Sequence, residues 1–289
     1  MWKIRKFIWC YLLLKLPPFL LFLILPHNIA AKELKSAYNI SYGKDKKQRY
    51  DIHMLKEDAP IVFYIHGGSW MSLDKRYYNY IVKKIALAGY RVVNINYRLM
   101  PKVTLSEVVS DCEQAIFHAL EHLPNSQNVP LFICGDSAGA HLAALLCGKA
   151  NCKGEYGKVA FAGAGLFYGL YDLNNLKKCA LLSFLEEYLK KEGQGKENYL
   201  IELSPVYYFN EKFPPSYLAG GKRDTLFYGT LEFSRLLQDM GISTKTMFVE
   251  KNRLDGIHGF LNLTFFSSSK QGLAELIEFF NSIAGGENS

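Results

Sequence analysis

No Cys/His spacing in this 289-residue chain matches a metal site, no segment repeats, and no low-complexity linker interrupts it. Charge of one sign is not concentrated either. The formal net charge is +7, but it is spread along the chain, and Lys3, Arg5 and Lys6 sit within the first six residues. No basic run carries the interleaved aromatics of a nucleic-acid surface. These absences exclude a zinc module, a repeat array and a nucleic-acid binder, and no cofactor or metal is expected. Lys44-Asp45-Lys46-Lys47-Gln48-Arg49 is the only dense charged cluster and reads as a solvated loop.

Cysteine is sparse, with six residues. Cys10 lies in the N-terminal segment, and Cys134 and Cys147 fall in apolar runs where a small buried side chain suffices. Cys152 and Cys179 could pair if the domain is exported, which would leave Cys112 free. One long apolar run exists, Phe7 to Leu25, broken by Lys15 and Pro17-Pro18. A cationic start followed by an apolar core is an export signal. Residues 1–31 are therefore expected to be a signal peptide cut near Ala30 or Ala31, or a single-span anchor with its basic end cytoplasmic. The protein is then secreted or membrane-anchored. Asn39-Ile40-Ser41 and Asn262-Leu263-Thr264 fit the glycosylation pattern, which matters only on a eukaryotic secretory route.

Residues 32–289 suit one large α/β domain. Strand-like runs at Arg49–His53, Ile61–Ile65, Arg91–Tyr97, Leu131–Cys134, Val159–Leu166, Tyr217–Ala219 and Thr244–Val249 alternate with helical patterns. Those patterns cover Lys75–Ala88, Leu105–His122, Ala140–Cys147, Leu226–Met240 and Gln271–Ile283. The alternation predicts a mostly parallel sheet flanked by helices. The long connection 170–204, with the amphipathic stretch Leu181–Leu189, is expected to form a small cap that excludes water from a site. Phe167, Tyr168, Tyr171, Tyr207, Tyr208 and Phe209 suit an apolar pocket or the core.

The most informative stretch is Leu131-Phe-Ile-Cys-Gly135-Asp136-Ser137-Ala138-Gly139-Ala-His141. An apolar strand meets a turn with serine at its apex, and small residues then open a helix. Gly135 and Gly139 leave room for a strained serine backbone, and the helix N–H groups point at whatever the hydroxyl attacks. A serine hydroxyl needs a base, an orienting acid and oxyanion donors.

Three further segments offer those parts. The strand Ile61–Ile65 runs into His66-Gly67-Gly68-Ser69-Trp70, whose backbone can approach a ligand. The expected oxyanion elements are Gly67, Gly68, Ser69 and Ala138, with N–H donors on Gly68, Ser69 and Ala138 and with Gly67 shaping the turn. His66 reads as a loop anchor. Asp224 follows Gly220-Gly221 at a strand end; it is either the orienting acid or a cap on the next helix. His258, in Ile257-His258-Gly259-Phe260, is the candidate base, and the order Ser, Asp, His separates this chain from other triad arrangements.

These motifs resemble the hormone-sensitive-lipase-like branch of the α/β-hydrolases over roughly residues 50 to 285. The resemblance also includes Tyr97-Arg98-Leu99-Met100-Pro101, Asp111, Ser204-Pro205 and Phe213-Pro214-Pro215. It implies an α/β-hydrolase fold and the triad Ser137, Asp224 and His258 acting on a small-molecule carboxylic ester through an acyl-enzyme. The Tyr-Arg-Leu-x-Pro segment is implied to be a structural support. His-Gly-Gly-x-Trp together with His141 also looks like kynurenine formamidases and prenylcysteine methylesterases, so amide cleavage is the alternative chemistry. A binding protein on a retired hydrolase scaffold is the third reading, opposed by the presence of all three triad candidates.

Overall fold

The computed structural model describes residues 31–174, 183–195 and 197–285. The expected N-terminal signal or anchor and Cys179 lie outside them, and Cys152 is unbonded. Among the described residues no helix is long and apolar enough to cross a membrane.

Eight strands form one sheet: β1 (Lys35–Ser41), β2 (Arg49–Met54), β3 (Ile61–Ile65), β4 (Arg91–Ile95), β5 (Leu131–Asp136), β6 (Gly163–Phe167), β7 (Ser216–Gly221) and β8 (Thr244–Val249). Their spatial order is β1-β2-β4-β3-β5-β6-β7-β8. The first two pairings are antiparallel and the other five are parallel. The described helices are α1 (Asn79–Leu87), α2 (Leu105–His122), α3 (Ala138–Cys147), α4 (Ser183–Glu192), α5 (Tyr199–Glu202), α6 (Phe227–Asp239) and α7 (Ser267–Ala284).

The continuous apolar run of β3 follows from burial on both faces. Ile61, Phe63 and Ile65 join the core beneath α2, α3 and α6, whereas Val62 and Tyr64 join the core beneath α1 and α7. Each large apolar side chain so buried contributes about 1.5–3 kcal/mol relative to exposure. Parallel pairing brings the carboxyl ends of β3, β5, β7 and β8 to one edge, and the four candidate segments sit beyond those ends.

The differences from the sequence expectation have local causes. β1 is an exposed edge strand without apolar alternation, bulged between Ala37 and Ile40 where Asn39 has φ 57°, so periodicity did not mark it. β6 begins at Gly163 and not Val159, because the Asn151 side chain bonds both the N–H and the C=O of Phe161 at 2.9 Å. Helix α7 starts at Ser267, four residues before the expected Gln271. Its serine-rich first turn is a poor helix former on its own. Asp255, from another segment, accepts from Ser268 N at 3.0 Å and from Ser267 Oγ at 2.9 Å.

Within the long connection, Leu185, Leu189 and Tyr199 are buried in the main core. Glu192 accepts from Leu105 N at 2.7 Å, tying the end of α4 to the start of α2. Ser204 Oγ likewise accepts from Leu173 N at 2.8 Å, joining the two ends of the connection.

Candidate active site

The turn between β5 and α3 forces Ser137 to φ 53° and ψ −119°, a conformation that stores on the order of 1–3 kcal/mol. It is tolerated because the flanking glycines let backbones meet. A Cβ on Gly139 would stand 2.0 Å from the Ile65 carbonyl oxygen, and one on Gly135 would stand 2.4 Å from the Gly139 backbone.

Three distant residues converge above this turn. His258 Nε2 lies 3.0 Å from Ser137 Oγ, and His258 Nδ1 lies 2.7 Å from Asp224 Oδ2. Asp224 also accepts from Leu226 N at 2.9 Å through Oδ1. One oxygen thus orients the imidazole, while the other closes a turn on Leu226, the N-cap residue of α6, so the helix takes no side-chain cap from Asp224. The Asp224 side chain is fully buried, while the His258 side chain keeps 39% of its surface exposed. Packing around the ring works against its charge, but the hydrogen bond and the charge of Asp224 outweigh this and hold the imidazole above its ordinary pKa.

The segment expected from sequence to supply oxyanion donors follows β3. Gly68 has φ +112°, and a Cβ there would meet the Ser72 carbonyl oxygen at 2.2 Å. Ser69 and Trp70 continue at φ 53° and 60°. The N–H groups of Gly68 and Ser69 make no hydrogen bond within the described residues. Ala138 opens α3, where helical geometry leaves the N–H unbonded. Gly67 differs from these three: its N–H donates to Asp136 Oδ1 at 2.9 Å and to the Tyr78 hydroxyl oxygen at 3.1 Å. Gly67 thus shapes the turn and offers no free donor.

His66 is the loop anchor expected of it. It is buried, bonds Asn96 Oδ1 at 3.0 Å and stacks on Tyr97 with ring centroids 4.2 Å apart. Tyr97 Oη in turn donates to the His66 carbonyl at 2.8 Å. Arg98 forks onto buried Asp111 through Nε at 2.9 Å and Nη2 at 2.7 Å, so the Tyr-Arg segment props the strand end beside the site. His141 donates from Nε2 to the Leu203 carbonyl at 2.7 Å, and its ring meets Trp70 edge to face; burial pushes its pKa down to about 4.

Asp136 is the functional residue that sequence reasoning passed over. Its buried carboxylate takes the Gly67 N–H on one oxygen; the other accepts from Tyr78 Oη at 3.3 Å, Tyr168 Oη at 3.4 Å and Asn262 Nδ2 at 3.3 Å. Tyr168 also packs against His258 with centroids 5.0 Å apart. One carboxylate thereby links the Gly67 loop after β3 to the loop after His258. Burial pushes it up to about 6, against the lowering effects of His258, the Gly67 N–H and the two tyrosines. The signal available in the sequence was an acidic residue inside an otherwise apolar or small stretch. Asn262, noted as a glycosylation acceptor, is engaged here through its amide nitrogen.

Two cavities are lined by residues next to the site segments, with none of Ser137, Asp224 and His258 in either lining. One of about 360 Å³ is lined by Leu170, Tyr171, Leu226, Tyr228 and Phe233, beside the helix that follows Asp224. The other, of about 650 Å³, backs onto the oxyanion segment at Met71, Ser72 and Leu73. Among the described residues no cluster of three or more His, Cys, Asp or Glu could hold a metal ion.

The sheet order and the Ser137, His258 and Asp224 contacts at its carboxyl edge are those of an α/β-hydrolase fold. The profile of the family designated BD-FAE matches residues 50–238, and the chain belongs to that family. It is 30% identical over 199 residues to esterase LipQ of Mycobacterium tuberculosis, covering 64% of this chain and 47% of that protein. It is 28% identical over 171 residues to kynurenine formamidase of Salmo salar, covering 58% of this chain and 54% of the relative. The chain spans about half the length of these curated relatives. Among solved structures, an inhibited esterase B from Lactobacillus rhamnosis superposes with TM-score 0.79 at 20% identity, covering 90% of this chain and 91% of that one. A hyperthermophilic esterase from Pyrobaculum calidifontis gives TM-score 0.75 at 19% identity, over 94% and 89% of the two chains. At those identities the likeness is one of fold.

Proposed function

We propose that this protein is a serine hydrolase of carboxylic esters. The observation that carries the reading is the unbroken relay from Ser137 Oγ through the His258 imidazole to Asp224, at 3.0 and 2.7 Å. Ser137 attacks the acyl carbon while His258 Nε2 takes the hydroxyl proton. The carbonyl π electrons move to oxygen, and the N–H groups of Gly68, Ser69 and Ala138 receive the oxyanion. Asp224 holds the Nδ1–H tautomer and stabilises the imidazolium. Collapse expels the alcohol, protonated by His258, and leaves an acyl-serine. Water then attacks with His258 again as base, releasing the acid and restoring the serine.

A second reading keeps this machinery and cleaves an amide. The His66-Gly67-Gly68-Ser69-Trp70 segment and the similarity to a kynurenine formamidase favour it. Burst kinetics with 4-nitrophenyl acetate test the main proposal: a burst of nitrophenolate stoichiometric with protein is expected, absent in Ser137→Ala. Hydrolysis surviving in that variant overturns it. Parallel rates on an N-formyl anilide separate ester from amide preference.

We further propose that 170–204 caps the pocket lined by Tyr171 and Phe233, and that residues 1–31 export or anchor the domain. Mass spectrometry of the protein recovered from its native host distinguishes a cut near Ala30 or Ala31 from an intact N-terminus.

A further inference from the structure

The Lys44–Arg49 cluster, read from sequence as a solvated loop, forms one wall of the larger cavity. Its Lys47 is half-buried and reaches across the cavity to Asp74 at 2.7 Å. Arg76 also contacts that carboxylate, at 3.1 Å, so two cations share one acid. Burial alone would raise Asp74, but Lys47 foremost, with His66 and the Arg76 backbone N–H, holds it well below the usual carboxylate range. Arg98, on the facing wall, is matched by Asp111 and by Glu107 at 3.6 Å.

Lys46 and Lys102 are different. Both are exposed, both line the cavity, and neither makes an ion pair among the described residues. Asp45 is the other carboxylate in the wall, and it accepts the Lys47 backbone N–H at 2.7 Å. Leaving out Arg98, which Asp111 and Glu107 match, cations outnumber acids in this lining by four to two, counting Lys46, Lys47, Arg76 and Lys102 against Asp45 and Asp74. A concave surface with excess charge of one sign concentrates ligands of the opposite sign.

The position of the cavity makes this surplus relevant to substrate. Met71 N, Ser72 N and Ser72 Oγ each donate to the Gly68 carbonyl at 3.0 Å, so the turn that walls the cavity is the turn that holds Gly68. We propose that this cleft receives an anionic oxygen group, carried by the ester substrate away from its scissile bond, with Lys46 and Lys102 as its contacts. The inference rests on the ester-hydrolase reading for turnover, but the binding it requires stands independently. Carboxylate, sulfonate and phosphate share the recognising chemistry.

The test compares aryl butyrates bearing on the aryl side a tethered carboxylate, a sulfonate, a phosphate or a neutral methyl amide of equal length. Calorimetry on Ser137→Ala measures binding without turnover, and KM on the native protein measures it during turnover. Each anionic ester is expected to bind about fivefold more tightly than the amide, the scale of two partly screened ion pairs. The preference should shrink as salt is raised. The double variant Lys46→Glu/Lys102→Glu should abolish or reverse it. Lys153→Glu/Lys158→Glu, carrying the same change of charge on the loop before β6, should keep it. The ranking among the three anions identifies the group. Equal binding of anionic and neutral esters, or a preference that survives the Lys46/Lys102 change, overturns the proposal. Absence of turnover of every ester by the native protein instead overturns the hydrolase reading and leaves the calorimetric comparison standing.

Discussion

Asp136 and Asn262 lie 126 residues apart and meet at 3.3 Å, at the residue that immediately precedes Ser137. The same carboxylate binds Gly67 N, so the oxyanion loop and the segment after the candidate base share one anchor. Its charge is also felt at His258, whose imidazole it helps to hold in the charged form.

Asp136→Asn is expected to move the acid limb of the kcat/KM profile to lower pH, because His258 loses a neighbouring negative charge. Stability should respond with the opposite pH sense. The folded carboxyl sits at about 6, above its unfolded value of 3.8, so its contribution is fully present below 3.8 and is lost as pH rises through 6. Removing the charge therefore helps more at pH 7.5 than at pH 4.5. The change in Tm relative to the native protein should be more favourable at the higher pH by about 3 °C. An unchanged acid limb together with a pH-independent Tm difference would refute this account.

The native acid limb has its own expectation. The proposed mechanism requires neutral His258, and Asp224 raises that imidazole above its ordinary 6.5 against the opposing effect of packing. The rate should therefore climb through an apparent pKa higher than 6.5, read from kcat/KM on a neutral ester.

Asp224 has one oxygen on His258 and one on Leu226 N, so two substitutions separate its roles. Asp224→Asn preserves an acceptor for the Leu226 turn but presents the wrong partner to Nδ1. Activity should fall on the order of 10⁴-fold with little change in stability. Asp224→Ala should lose similar activity and in addition about 1 kcal/mol of stability, because the buried Leu226 N–H loses its acceptor. Denaturant midpoints for the two variants make the comparison.

Ser137 holds φ 53°, which glycine adopts without penalty. Ser137→Gly should be more stable than Ser137→Ala by about 1 kcal/mol, while both lack the acyl-enzyme burst. Equal urea midpoints would show that the turn stores no strain at this residue.

At Gly139 the expected outcome is severe. A methyl group there would lie 2.0 Å from the Ile65 carbonyl oxygen, which belongs to backbone and cannot swing aside. Gly139→Ala should cost more than about 3 kcal/mol or prevent folding. Circular dichroism melts alongside Ser137→Ala provide the check.

Much of this arrangement was legible in the linear chain. The buried runs of β3 and β5 ended where small residues began, and the order Ser137, Asp224, His258 restricted which side chains could meet. Strand and helix patterns are local, so β3 and β8 appeared with their observed bounds. What stayed hidden was non-local. β1 has no apolar face to advertise it, the first turn of α7 is capped by Asp255 from a different segment, and Asp136 gains its meaning only from Gly67 and Asn262.

The family resemblance picked out Ser137, Asp224 and His258, while the amino-acid sequence by itself determined the alternating α/β architecture and the strained serine turn. These depend on residue size, backbone freedom and hydrophobic period, which act over a few neighbours. Only the tertiary structure decided that Asp224 serves two partners, that Gly67 N–H is engaged by Asp136, and that a charged loop near the N-terminal hairpin becomes a cleft beside the oxyanion turn. Each of those outcomes requires groups far apart in the chain to be held within hydrogen-bonding distance, and only the folded sheet supplies that proximity.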